Sequence, residues 1–152
     1  MAYDEKFMRR AISLANKAFL LDEVPVGAVI VKHNKVIASA YNKREKTNDA
    51  TAHAEILAIK KASHILHNWR LNECELYVTL EPCPMCAWAI LQSRIKTVYF
   101  GSYDNHYGAF GSKINLAEIS NSKISVKGGI LEEECDKILK EFFKKVRDDN
   151  KE

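Results

Sequence analysis

The chain has 152 residues, of which 47% are hydrophobic, so its length and composition are those of one compact domain with a buried core. Its net charge of +3 is compatible with a nucleic-acid partner but well short of the strongly basic balance that would indicate one by itself. The four cysteines are not spaced as a disulfide framework, no stretch approaches a membrane span, and the N-terminus has no signal-peptide pattern. We therefore expect a single domain over residues 1–152 in a reducing, cytoplasmic environment.

The first part of the chain predicts a helix followed by a β-hairpin. Apolar residues recur at helical spacing behind Asp4, a candidate N-cap, and this pattern stops at Asp22. Residues 27–31 and 36–40 are two apolar runs joined by a short polar segment, which is the pattern of a hairpin.

The middle of the chain predicts two helices with a strand between them. After a polar loop over residues 42–49, Thr51 is a candidate N-cap for a helix that ends near His67. Residues 75–80 predict a strand and residues 85–92 a short helix, so the strand leads directly into the start of that helix.

The last third predicts two more strands and a C-terminal helix. Residues 97–100 and 123–127 are the strands, and residues 102–112 between them form a loop rich in Gly, Tyr and Asn. Loops of this length in compact domains are usually functional or mobile. The apolar stripe of the final helix consists of Leu131, Cys135, Ile138, Leu139, Phe142, Phe143 and Val146.

The predicted element order is α-β-β-α-β-α-β-β-α, with strands and helices mixed throughout. This order favours an α/β protein with one mixed five-stranded sheet and helices on both faces, a three-layer α/β/α architecture. In such sheets, sites form at the carboxyl ends of strands and at helix N-termini.

Two short motifs supply the ligands and the acid–base group of a hydrolytic zinc site. The first holds His53 and Glu55, and the second holds Cys83 and Cys86 behind Pro82. Two thiolates and one imidazole suit Zn²⁺, and three protein ligands leave a fourth tetrahedral position for water, as in catalytic sites. Together the motifs match the H-x-E and P-C-x-x-C signature of zinc deaminases, in which the glutamate is the acid–base group and not a ligand.

Two other interpretations of these residues stay open at this point. A lone C-x-x-C pair in a reducing compartment is also the pattern of a redox dithiol. A structural zinc site would need a fourth sulfur or nitrogen ligand, and Cys74 and Cys135 are the remaining cysteines. Both lie on apolar segments, so we interpret them as small buried hydrophobic residues.

Further segments extend these motifs over almost all of the chain, namely residues 23–31, 41–42, 51–56, 77–87, 108–112 and 129–131. In these segments the chain resembles the cytidine deaminase superfamily and, within it, the bacterial tRNA-specific adenosine deaminases that convert wobble adenosine to inosine. The resemblance implies a cytidine-deaminase-like fold and a homodimer that acts on a tRNA anticodon stem-loop.

The resemblance also implies roles for individual residues. It implies one Zn²⁺ per chain held by His53, Cys83 and Cys86. It further implies Glu55 as the proton shuttle and Asn42 as a contact to the purine edge. The predicted substrate-binding residues are Asn42, Ala54, Pro82, Asp104, His106 and Phe143.

One position departs from the family pattern. Where such enzymes often carry Asp-x-Lys before the Gly-Ala-x-Gly-Ser segment, this chain has a histidine, His106, two residues after Asp104. Because imidazole is mostly neutral at pH 7, the change predicts weaker or more pH-sensitive RNA binding. The alternative is that His106 faces solvent, or that Tyr103 and Tyr107 contact RNA by stacking instead.

The adjacent aromatic residues of the last helix also have two interpretations. We favour core packing for both Phe142 and Phe143, since both belong to the apolar stripe. The alternative, from the resemblance, is that Phe143 packs near the bound anticodon nucleotides.

The predicted reaction is hydrolytic deamination of adenosine at the wobble position of tRNA, with an arginine tRNA as the expected substrate. One rival is a deaminase of a free base or nucleotide, such as guanine, cytosine or dCMP, because the metal motif is common to the superfamily. The other rival is a non-catalytic, zinc-stabilised RNA-binding module.

Overall fold

The computed structural model describes residues 2–150 and contains a mixed five-stranded sheet. The strands are β1 (Gly27–Lys32), β2 (Lys35–Tyr41), β3 (Cys74–Leu80), β4 (Thr97–Ser102) and β5 (Ser125–Lys127). Their order across the sheet is β2-β1-β3-β4-β5. Strand β1 runs antiparallel to both of its neighbours, whereas β3, β4 and β5 are parallel to one another.

Helices cover both faces of the sheet. They are α1 (Glu5–Leu20), α2 (Arg44–Thr47), α3 (Ala54–Leu66), α4 (Pro84–Gln92), α5 (Leu116–Ile119) and α6 (Glu132–Asp149). Successive residues of β1 point to opposite faces, as the strand geometry requires. Val29 belongs to a core with Phe7 of α1 and Cys135 of α6, while Ile30 belongs to a second core with Ala58 of α3. The predicted three-layer α/β/α architecture is therefore confirmed.

The predicted element order is also confirmed, with local differences. Asp4 caps α1 by accepting a hydrogen bond from the backbone N–H of Lys6 at 3.1 Å. The short helices α2 and α5 were not predicted, because four-residue helices have too few turns to show an apolar period. Residues 1, 151 and 152 of the predicted domain lie outside the described residues.

The predicted N-cap of α3 is wrong. Thr51 donates its hydroxyl to Asp49 at 2.7 Å, and the N-cap position is taken by His53. The side chain of Asn42, at the end of β2, accepts the N–H of Ala54 at 2.7 Å. Asn42, which follows β2, thus supplies the acceptor that a local N-cap side chain would supply. Periodicity within α3 does not reveal such a partner.

The strand directions place several loops at one edge of the sheet. Because β2 and β3 both run antiparallel to β1, they end at the same edge, and β4 ends there too. Asn42 follows β2, Cys83 follows β3 and Asp104 follows β4. The N-termini of α3 and α4 lie at this edge as well, since His53 approaches both Cys83 and Cys86. Among residues 2–150, no helix combines the length and hydrophobicity needed to span a membrane.

Gly27 of β1 packs closely against the backbone of α1, and its replacement tests this packing. A Cβ at Gly27 would collide with the carbonyl oxygen of Ala11 and lie 2.8 Å from the backbone nitrogen of Ala15. Because both are backbone atoms of a helix, Gly27→Ala is expected to lower the free energy of unfolding by about 3 kcal/mol. Urea unfolding measures this decrease. Lys35→Ala, an exposed change on β2, is the control and is expected to stay within about 0.5 kcal/mol of wild type.

Candidate metal centre and active site

His53, Cys83 and Cys86 meet at the sheet edge with the geometry of a metal site. The Nδ1 atom of His53 lies 3.7 Å from Sγ of Cys83 and 3.4 Å from Sγ of Cys86. A tetrahedral zinc with bonds of about 2.0 Å to nitrogen and 2.3 Å to sulfur separates such donors by about 3.5 Å. All three donor atoms lie within 4.8 Å of one another, so the residues fit a zinc ion. We call His53, Cys83 and Cys86 the metal group.

The N-termini of α3 and α4 position these ligands. His53 is the N-cap of α3 and Cys83 is the N-cap of α4, where Pro84 occupies the first turn. Cys86, three residues after Cys83, lies in that same turn and is buried. Helix N-termini carry partial positive charge, which favours thiolate over thiol. The local sequence therefore sets the direction of the three donor side chains.

In the absence of a metal, the two cysteines ionise differently because they are hydrogen-bonded to each other. The pKa of Cys83 is lowered to about 4, chiefly by its hydrogen bond with Cys86. The pKa of Cys86 is raised by the same hydrogen bond and by burial of its sulfur. The hydrogen bond with Cys83 also raises the pKa of His53. Cys83 therefore loses its proton more readily than Cys86, and because zinc binds thiolates, metal binding releases a proton from the group.

Cys74 and Cys135 are buried and lie outside this group. Within residues 2–150, the only cluster of candidate ligands consists of His53, Cys83 and Cys86. Three protein donors are typical of a catalytic site, whereas structural zinc sites have four. The arrangement therefore favours a catalytic metal over a closed structural one.

Glu55 lies beside the metal group without belonging to it. Its side chain is buried, and burial raises the pKa of its carboxyl to about 7. It is two residues after His53 in the chain and lines the same pocket as His53 and Cys83. A carboxyl group with a pKa near 7 exchanges protons in both directions at neutral pH. Glu55 thus has the position and the acidity of a general acid–base group.

A pocket of about 480 Å³ opens above the metal group, within the size range of small-molecule sites. Its lining residues are Val24, Val26, Asn42, Arg44, His53, Glu55, Leu80, Glu81, Cys83, Asp104, Tyr107 and Phe143. The pocket therefore contains two metal-group residues, the buried carboxyl group and both apolar and aromatic walls.

The amide of Asn42 is held in one orientation at the pocket wall. Its Oδ1 accepts the N–H of Ala54, and its Nδ2 donates to the carbonyl oxygen of Val24 at 3.1 Å. An amide NH₂ has two hydrogens, so one donor is left over from these contacts. Asn42 thus both caps α3 and presents a polar group to the pocket.

The other predicted substrate-binding residues fall into different places. Asp104 and Phe143 line the pocket. Ala54 and Pro82 are buried, and their backbone atoms bond to Asn42 and to the N–H of Ala109. His106 is exposed, and its backbone N–H donates to Oδ1 of Asp104 at 3.0 Å.

The prediction that Phe142 and Phe143 both pack in the core is wrong for Phe143. Phe142 is 6% exposed and meets the ring of Phe19 edge-on, whereas Phe143 is 48% exposed. Adjacent residues on a helix point about 100° apart, so only one of them can face α1. Phe143 instead borders the pocket.

Sequence reasoning assigned no role to Arg44 or Glu81, although both line the pocket. The pKa of His53 is raised chiefly by Cys83, and Arg44 lies close enough to oppose this rise. In the sequence, nothing in the polar segment around Arg44 distinguishes it from a solvated loop residue. For Glu81, the sequence does contain a signal, since a carboxylate directly after an apolar strand is unusual.

Comparisons with known proteins place this site in a family. The profile of the MafB19-like deaminase family matches residues 2–147. The tRNA-specific adenosine deaminase of Bacillus subtilis (strain 168) is 46% identical over 149 residues, which cover 97% of this chain and 92% of that protein. The chloroplastic tRNA(adenine(34)) deaminase of Arabidopsis thaliana is 44% identical over an alignment 158 residues long, which covers 92% of this chain and 12% of that protein.

A solved structure from studies of A-to-I editing by tRNA:A34 deaminases at the wobble position matches this fold. The TM-score is 0.83, with 41% identity over 90% of this chain and 100% of that chain. The likeness therefore extends from the sequence to the arrangement of sheet and helices.

Replacing single cysteines tests the metal group. Cys86→Ala is expected to reduce the bound divalent metal from about one to less than about 0.2 per chain, because two donors rarely hold a metal against exchange. Elemental analysis after dialysis measures the content. Cys135→Ala removes an equally buried thiol outside the group and is expected to leave the content unchanged.

The affinity of the metal group for a divalent metal is also expected to depend on pH. Because the metal displaces a proton whose release is opposed by the raised pKa of Cys86, the apparent affinity for the metal should rise from about pH 6 to about pH 8.

Equal metal loss in the Cys86→Ala and Cys135→Ala variants would contradict the assignment of Cys86 as a metal donor.

Proposed function

We propose, because this chain belongs to the MafB19-like deaminase family, that it is a zinc-dependent enzyme that converts adenosine to inosine at the wobble position of tRNA. The observation that carries the proposal is that a His-Cys-Cys group lies at a pocket lined by two of its members, His53 and Cys83, and by the buried carboxyl group of Glu55. Relatives named tRNA-specific adenosine deaminases share close to half of its residues over nearly its whole length, which supports adenosine in tRNA as the substrate.

Zinc is the proposed cofactor because two sulfurs and one imidazole nitrogen are the donors that suit it. His53, Cys83 and Cys86 would hold one ion per chain. When bound, zinc acts as a Lewis acid that lowers the pKa of water to about 7 and so supplies a nucleophile at neutral pH.

Glu55 is the proposed proton shuttle. Its carboxylate accepts a proton from the attacking water and delivers it to N1 of adenine, which makes C6 more electrophilic. It then takes the second proton of the former water from the oxygen now bonded to C6 and transfers it to the exocyclic amine, so that the C–N bond breaks and ammonia leaves as inosine forms. Water and adenosine are consumed, inosine and ammonia are released, and Glu55 ends in its starting state. A pKa near 7 suits a group that must act first as a base and then as an acid.

Asn42 is the proposed contact to the purine edge. Its amide is already oriented by Ala54 and Val24, and its remaining N–H can donate to a ring nitrogen of the base. An oriented donor loses no rotational freedom when the base arrives, which favours binding. The base must first be unstacked, and this costs less in a single-stranded anticodon loop than in a duplex.

A second groove, adjoining the pocket, supports RNA over a free base. We call it the α6 groove, and its lining residues are Ser102, Tyr103, Asp136, Leu139, Lys140, Phe143, Lys144 and Arg147. Phe143 lines both the groove and the active-site pocket, so the two border each other at this ring. Cations along such a path neutralise phosphates, and exposed rings provide stacking surfaces for bases. A free base needs no such path.

Three further features belong to the proposal. An arginine tRNA is the proposed substrate within the class, and the proposed location is the cytoplasm. A homodimer is proposed from the family resemblance. Met85 and Trp88 on α4 are 37% and 48% exposed, which gives an apolar surface suited to a second copy.

The substrate test compares wild type with Glu55→Gln. The zinc-loaded protein is incubated with an arginine-tRNA anticodon stem-loop bearing wobble adenosine, and separately with adenosine, guanine, cytosine and dCMP. We expect inosine only in the RNA. Glu55→Gln is expected to keep its fold and zinc but lose about a thousandfold in kcat, because it cannot transfer protons.

The outcomes of this test separate the candidate functions. Turnover of a free base or dCMP without inosine in RNA would favour the free-substrate deaminase. Tight RNA binding with no turnover of any substrate would favour the non-catalytic module. Near wild-type turnover by folded Glu55→Gln would show that the assigned proton shuttle is wrong.

Charge reversal in the α6 groove tests the RNA path. The double variant Lys140→Glu/Lys144→Glu is expected to weaken stem-loop binding at least about tenfold and to reduce the slope of log K against log[salt] by about 0.7 for each phosphate that is no longer neutralised. Fluorescence anisotropy over a salt series measures both. Lys35→Glu, in the β1–β2 hairpin, is the control for charge alone. Identical salt slopes in wild type and the double variant would contradict the assigned path.

A further inference from the structure

Glu81 is a buried carboxylate that the proposed chemistry does not use. Its side chain is 2% exposed, and no ion pair among residues 2–150 includes it. A carboxylate in this environment is costly unless several donors surround it. Its partners therefore indicate what it does in the fold.

Four donors from a single loop surround this carboxylate. Oε1 accepts the N–H of Asp104 at 3.1 Å and the hydroxyl of Ser112. Oε2 accepts the N–H groups of Phe110 and Ser112, each at 3.1 Å. Both ends of the loop over residues 104–112 are thus fastened to one side chain. The loop would otherwise have three buried or half-buried backbone donors without acceptors.

The loop sequence fits around Glu81. A Cβ at Gly108 would lie 2.5 Å from Cδ and 2.6 Å from Oε1 of Glu81, so only glycine leaves room for the carboxylate. Gly111 has a φ of +132°, which L residues rarely adopt, and this turn brings Ser112 back towards Glu81. The Gly-Ala-Phe-Gly-Ser segment is thus shaped to wrap a carboxylate.

The same residue adjoins the metal group along the chain. Glu81 is two residues before Cys83, and its own N–H donates to the carbonyl of Ser102 at 2.8 Å. The residue between them, Pro82, accepts the N–H of Ala109 at 2.9 Å. The loop is therefore tied to the segment that carries a metal ligand, and this loop contributes Asp104 and Tyr107 to the pocket wall.

We propose that Glu81 is a positioning residue that holds the loop over residues 104–112 at a fixed distance from Cys83, so that the substrate wall of the pocket and the metal group stay in register. The consequence for substrate rests on the proposed deaminase function. Glu81 acts through the loop, because its carboxylate is occupied by the loop's own donors.

Glu81→Gln changes one contact selectively. The amide keeps one oxygen, which can still accept from Phe110 and the N–H of Ser112, and the Ser112 hydroxyl can turn to accept from the new NH₂. The N–H of Asp104 then faces a donor and loses its partner. The variant keeps the shape of the side chain while releasing the end of the loop that bears Asp104.

The first readout is amide exchange in the metal-loaded protein, followed by NMR. The amide of Asp104 is expected to exchange at least about tenfold faster in Glu81→Gln than in wild type, with smaller increases at Phe110 and Ser112. Glu75→Gln makes the same chemical change at the other end of β3 and is expected to leave all three unchanged. Unchanged exchange at Asp104 in folded Glu81→Gln would overturn the proposal.

The second readout is a kinetic cycle with Tyr107→Ala, measured on the anticodon stem-loop. Glu81→Gln is expected to raise KM at least about fivefold with a smaller effect on kcat, because the metal ligands remain in place. In the Tyr107→Ala background, the same change should raise KM less than about twofold, since the wall it positions is already truncated. Fully multiplicative effects would mean that Glu81 does not act through this wall.

These readouts keep the two proposals apart. If wild type forms no inosine in the stem-loop, the proposed function fails, while the exchange at Asp104 still decides whether Glu81 holds the loop. If Glu81→Gln does not fold, Ser112→Ala removes one of the four donors and is measured in its place. Its amide exchange at residues 104 and 110 should rise about twofold to threefold, and no rise would overturn the proposal.

Discussion

The parallel pairing of β3 with β4 is the constraint on which the candidate site depends. Leu80 of β3 pairs with Ser102 of β4, and the N–H of Glu81 extends this ladder by one further hydrogen bond. The two strands therefore end together, and the segments that follow them leave the sheet side by side. One of these segments carries Cys83 into α4, and the other forms the pocket wall that includes Asp104. Cys83 of the candidate metal site and the pocket wall that includes Asp104 are thus neighbours because of strand direction.

Buried carboxylates satisfy the loops at both sides of the pocket. Glu81 accepts donors from residues 104–112, and Glu23, which is also 2% exposed, accepts the N–H groups of Glu45 and Lys46 at 3.1 and 2.8 Å. Irregular loops cannot pair their backbone groups in a ladder, so a carboxylate with several lone pairs is an efficient acceptor for them. The loops at the pocket are therefore held by hydrogen bonds to carboxylates of neighbouring segments.

The parts of the fold that follow from local periodicity were predictable. Alternating or continuous apolar runs predicted all five strands, and the H-x-E and P-C-x-x-C motifs predicted the residues that the structure brings within ligand distance. The N-cap of α3 was not predictable, because the acceptor for Ala54 is Asn42, twelve residues away on another element. Partners that are distant in sequence leave no periodic trace, and the loop donors around Glu81 were not predictable for the same reason.

The separation of chemistry from substrate choice follows from which elements form each part. The metal group and Glu55 lie on α3, α4 and the end of β3, which are bound together by the core of one sheet face. The α6 groove lies on a helix that packs on the opposite face, and it meets the pocket only through Phe143. The adjacency of Phe142 and Phe143 makes this possible, since one ring anchors α6 to α1 while the other is left at the pocket. If the α6 groove is the RNA path proposed above, a change in its exposed residues alters RNA binding without moving the His53, Cys83 and Cys86 side chains.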